Sequence, residues 1–127
     1  MLVLATPVID SLVADKTEQA EALLRRSPRT AVLAERMACI LKDLKEQEGA
    51  PFTRIDVDAT RDLEIPSWIK LVFTVKVAGD REEQDRWDLR LGEREFELQQ
   101  QLSRRDCILW CDRIWVRFRR EPKPVPT

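Results

Sequence analysis

Asp56 and Asp58, in the stretch Ile55-Asp56-Val57-Asp58, are the first residues whose type and spacing suit chemistry. On a strand they share a face about 7 Å apart, close enough to hold a divalent cation or to divide acid and base roles. Asp62 and Glu64 follow, and Glu64 supplies a third oxygen only if the connection folds back. Solvated carboxylates on an edge strand, which discourage edge pairing, account for the same pattern with fewer assumptions. No metal ligand and no catalytic residue is therefore assigned, although a carboxylate- or metal-dependent activity at Asp56 and Asp58 stays open.

Cys107 and Cys111 form the second constellation. On a strand the two thiols would flank Leu109 about 13 Å apart, beyond the reach of a disulfide or a shared metal. On a helix they would approach, but the Ile, Trp and β-branched content of the segment favours a strand. Cys39 has no base nearby in sequence, and a catalytic thiolate needs an electropositive activator, normally His. The chain has no His. Three cysteines do not make a disulfide framework, so Cys107 and Cys111 are read as buried structural thiols acting as small hydrophobes, and Cys39 as a structural residue on the flank of its helix beside Val32.

The third constellation is basic and aromatic: Arg104, Arg105, Trp110, Arg113, Trp115, Arg117, Arg119, Arg120 and Lys123. Residues 104–127 hold seven basic and three acidic residues. On one strand, Arg113, Trp115, Arg117 and Arg119 share a face and Ile114, Val116 and Phe118 share the other. Arg around an exposed aromatic suits a stacking and phosphate platform for nucleic acid. It equally suits a protein interface, where Trp and Arg are enriched. These four residues are the candidate interaction surface.

Composition decides between chemistries more firmly than any motif. Of 127 residues 43% are hydrophobic and 35% charged, and 22 Lys and Arg nearly balance 23 Asp and Glu, for a net charge of −1. No global field draws in a polyanion or an anionic membrane. The three glycines stand isolated at 49, 79 and 92, so no phosphate-cradling loop exists and no cofactor is expected. Nothing approaches the ~20 apolar residues of a membrane span, and the N-terminal apolar stretch lacks a basic start. The expected compartment is the cytoplasm, with reduced thiols.

The elements that must position these residues follow from periodicity. Residues 7–48 read as a helical hairpin: Thr6-Pro7 opens it, Asp15 with Glu18 allows a break, and Ser27-Pro28 caps a second helix that Gly49 and Pro51 stop. Residues 52–119 build the sheet. Phe52–Asp58 suits an edge strand, and Trp68–Ala78 alternates cleanly, with Ile69, Leu71, Phe73, Val75 and Val77 inward and Lys70, Thr74 and Lys76 outward. Residues 80–103 admit one long helix opened by Asp80 and Glu83, or a strand over Trp87, Leu89 and Leu91 followed by a short helix from Glu93. Gly92 inside the apolar pattern, and Arg94 and Glu95 inside the stripe that the long helix would bury, favour the second. Residues 107–119 read as strand throughout, with a turn or bulge at Asp112-Arg113, and 121–127 as a Pro-rich flexible tail.

The expected fold is therefore a single α+β domain over residues 1–120, an N-terminal helical hairpin packed on a small, mainly antiparallel β-sheet with one further helix. The expected function is a non-enzymatic protein–protein interaction module, a regulatory or accessory subunit. Its partner is another protein or a second copy of itself, and apolar residues on several sides of Met1–Val13 place self-association on the hairpin. Nucleic acid bound by the Arg/Trp-rich strand is the alternative partner.

Overall fold

A computed structural model describes residues 7–61, 64 and 69–121 of the chain. The N-terminal part breaks where a break was allowed, giving α1 (Val8–Leu12), the short strand β1 (Asp15–Lys16), α2 (Glu18–Arg26) and α3 (Pro28–Glu46). Thr17, not Asp15, restarts the helix: its hydroxyl accepts from Ala20 N–H at 3.2 Å and donates to Asp58 at 2.7 Å. Ser27 caps α3 by accepting from Thr30 N–H, with Pro28 at the first helical position as its missing N–H permits. Only Ser27 separates α2 from α3, and the two helices pack together. Thr6 lies outside the described residues. Pro7 itself is the N-cap of α1 and has no capping side chain, so Glu35 of α3 takes that role, accepting from the N–H groups of Val8 and Ile9.

Two long strands follow, β2 (Phe52–Arg61) and β3 (Ile69–Ala78), paired antiparallel with Val57 opposite Phe73. Then come α4 (Arg81–Gln99), α5 (Arg104–Arg113) and β4 (Ile114–Glu121). The fold is α+β, and the sheet is mixed, in the order β1-β2-β3-β4. The central β2–β3 pair is antiparallel, while β1 and β4 join their neighbours in parallel. A parallel neighbour requires a crossover connection, which α4 and α5 provide between β3 and β4.

Two expectations are corrected here. Residues 81–99 are one helix, not a strand and a short helix, because Trp87, Leu91 and Leu98 bury one stripe and Asp80 accepts from Glu83 N–H at 2.9 Å to start it. The charged residues that argued against this stripe find partners. Arg94 reaches Asp43 and Glu48 at 3.3 Å each, and Glu95 accepts from the Trp110 indole N–H at 3.3 Å. Residues 104–113 are helix, although strand was expected from 107 onward, so two helices rather than one lie between β3 and β4. Ser103, which accepts from Asp106 N–H, and the burial of Trp110 together outweigh the strand preference of the apolar run. Ser103-x-x-Asp106 was the available signal.

One core joins all the long elements: Leu33, Met37, Leu41 and Leu44 of α3 meet Leu71, Phe73, Val75 and Val77 of β3, and Trp87 and Trp110 close it from α4 and α5. On the side of α4 that faces α3, Arg90 and Arg94 bind Glu48 just beyond the end of α3, and the hydrogen bond from Arg90 holds the Glu48 carboxyl below its ordinary range. Glu95 is shifted the other way. Burial raises its pKa, only partly offset by the Trp110 hydrogen bond. A carboxyl raised on folding favours the protonated native state, so its penalty is absent below the unfolded value of 4.5 and grows as pH rises through the folded value. Glu95→Gln, which keeps an acceptor for Trp110, is expected to raise stability in urea melts at pH 7. That gain should vanish near pH 4. A loss of stability at pH 7 would contradict the assignment.

Candidate interaction surface

All the buried residues of β3 lie on its odd-numbered positions, and its even-numbered ones from Lys70 to Ala78 are half-buried. The helices thus cover one face of the sheet. On the other face, strand alternation and register set Val72 beside Trp115, Thr74 beside Arg117 and Lys76 beside Arg119, with Arg54, Asp56, Asp58 and Thr60 on β2. No residue of this face is buried among the described residues.

Trp115 is 49% exposed at the centre of the basic half. Its indole N–H donates to the Cys111 carbonyl at 3.0 Å, which anchors the ring to the last turn of α5, and Lys70 Nζ lies 3.8 Å from the ring centroid. That spacing is a cation–π contact. Arg117 donates to Thr74 Oγ1 at 3.2 Å, and Arg119 is exposed. An open hollow of about 500 Å³ runs beside the ring, lined by Thr60, Lys70, Val72, Trp115 and Arg117 among others.

Three of the four expected surface residues therefore come together and one does not. Arg113 ends α5 rather than preceding Trp115 on the strand, and its guanidinium donates to the Ile69 carbonyl at 3.2 Å. Lys70, Thr74 and Lys76 join the surface instead. Their outward phase was readable from alternation, but the pairing of β4 with β3 was not.

The remaining candidates have structural partners. Asp56 receives both its hydrogen bonds from Arg54 Nε, at 2.9 and 3.0 Å, and Asp58 accepts from Thr17 and from Ala59 N–H, each at 2.7 Å. Glu64 lines the Trp115 hollow. Among the described residues no group of three or more His, Cys, Asp or Glu is placed to hold a metal ion. Cys107 and Cys111 sit one turn apart on α5, and the reading of buried thiols on a strand is corrected. Cys107 is half-buried with its thiol donating to the Gln99 carbonyl at 3.3 Å, Cys111 is exposed, and Cys39 is half-buried. Burial raises the Cys39 thiol above its ordinary pKa, the opposite of an activated nucleophile.

Comparison with family models, with curated proteins and with solved structures finds no match, so the geometry alone carries the functional reading. Among the described residues no helix is long and apolar enough to cross a membrane.

Proposed function

We propose that the protein is a small non-enzymatic interaction module, an accessory or regulatory subunit that self-associates through the open sheet face around Trp115. The observation that carries this reading is a half-exposed Trp, held at its N–H, with Lys70 stacked on it and Arg117 beside it on an uncovered sheet. A partly exposed Trp with Arg beside it is the kind of anchor that interfaces use. The N-terminal segment supports self-association less well. Its described apolar residues Ile9 and Leu23 are buried, and Val8, Leu12, Val13 and Leu24 pack against the core.

The sheet face divides by net charge: Lys70, Lys76, Arg117 and Arg119 outnumber Glu121 on the β3–β4 half, and Asp15, Asp56 and Asp58 outnumber Arg54 on the β1–β2 half. A two-fold axis parallel to the strands would lay each basic half over the partner's acidic half, the self-complementary arrangement of a closed dimer. The acidic half also disfavours a polyanion, which keeps nucleic acid as the second reading. Sedimentation of the full chain is expected to show a dimer. Trp115→Ala should weaken it at least 30-fold, as loss of an aromatic anchor worth about 2 kcal/mol or more does. Sub-micromolar binding of single-stranded RNA at physiological salt, with a salt slope that flattens by about one phosphate contact in Arg117→Ala, would replace this reading with the nucleic-acid one.

A further inference from the structure

We infer a second docking surface, independent of the sheet face: the outer side of α4, which fits a basic amphipathic helix of a protein partner. Leu89 and Phe96 are 69% and 64% exposed there, with Gly92 between them on the same side. Spacings of three and four residues make Leu89, Gly92 and Phe96 one seam, the pattern by which one helix receives another.

Gly92 is the informative residue. In a helix interior it is unfavourable relative to Ala, and nothing lies within 4 Å of where its Cβ would stand. The fold therefore makes no use of the missing side chain. Its effect is outward, where it leaves a shallow, open hollow on the helix surface between Leu89 and Phe96 and lets another backbone come close.

The rim sets the chemistry of the occupant. Asp85, Asp88, Glu93 and Glu97 line the same hollow. Arg90 and Arg94 approach Glu93 and Glu97 at 3.5 and 3.8 Å, but their closer bonds run to Glu48 at 2.7 and 3.3 Å, away from the rim. The helix as a whole carries seven acidic and four basic residues. Two copies of α4 facing each other would set like charges together, which excludes the symmetric helix pair. A helix with Leu-type anchors for the hollow and Lys or Arg along its flanks satisfies both the apolar floor and the carboxylates.

The probe is an 18-residue peptide of Leu and Lys patterned as an amphipathic helix, titrated onto the full chain at physiological salt and followed by fluorescence anisotropy. Saturable one-to-one binding is expected. The Leu89→Ser/Phe96→Ser pair and Gly92→Leu should each weaken it at least tenfold, while Trp115→Ala changes it less than twofold. Failure of the peptide to bind, equal binding by the Ser pair, or a tenfold loss in Trp115→Ala would overturn the proposal. A fold control accompanies it: Gly92→Ala should raise the melting temperature of the free chain by about 2 to 4 °C, as a helix-propensity gain does. A fall would mean that the fold itself needs the glycine, and would remove the argument.

Discussion

Trp110→Ala is expected to lower the free energy of unfolding by about 3 to 5 kcal/mol, the range for truncating a large buried aromatic. The side chain is only 2% exposed and sits on α5, which packs against α3, β3 and β4, so its loss opens a void where three elements meet. It also removes the indole donor to Glu95, leaving a largely buried carboxylate without that hydrogen bond. A domain of ordinary stability holds only about 5 to 15 kcal/mol in total, so this one change places the chain near its unfolding threshold at 37 °C. Trp110→Phe separates the two contributions. It retains most of the volume and should cost about 1 to 2 kcal/mol, chiefly for the lost hydrogen bond. Urea melts of the two variants decide, and an Ala variant within 1 kcal/mol of the parent, on the scale of an average substitution of about that size, would show that the site is not core.

Gly79→Ala is expected to cost about 2 to 4 kcal/mol, combining backbone strain with a weakened helix cap. Gly79 joins β3 to α4 at a φ of +124°, where residues with a Cβ are strained, and an added Cβ would stand 3.1 Å from Cβ and Cγ of Glu83. Glu83 cannot yield freely. Its N–H donates to Asp80 and its carboxylate accepts from the Trp87 indole at 2.9 Å. The strain is thus passed to the first turn of α4 and to one of the buried aromatics. Thermal melts of Gly79→Ala and Gly92→Ala should move in opposite directions. Equal melting temperatures for Gly79→Ala and the parent chain would contradict this geometry of the crossover.

These two glycines also show where sequence reading runs out. In the sequence both are single Gly residues beside charged runs, and only the backbone angle at one and the empty space at the other separate a required turn from an outward dent. The four-residue spacing of Cys107 and Cys111 likewise fits a face of either a strand or a helix, and the residue preferences of the run pointed to strand. Burial of Trp110 against three neighbouring elements reversed that preference, because local propensities of a few tenths of a kcal/mol yield to a packed aromatic.

By itself the sequence determined the features that depend on near neighbours. Ser27-Pro28 specified a helix start, since a hydroxyl acceptor and an absent N–H act within one turn. Period-two alternation from Ile69 to Ala78 specified the central strand and its buried face, since successive side chains of a strand point to opposite sides. The missing His and the isolated glycines bounded the chemistry without reference to fold. Tertiary structure alone decided which strand lies beside β3, and with it the assembly of Lys70, Trp115, Arg117 and Arg119 on one face and the departure of Arg113 from it. The physical reason is distance along the chain. Pairing residue 72 with residue 115 depends on a two-helix crossover whose packing is a sum over the whole core, and no local pattern encodes that sum.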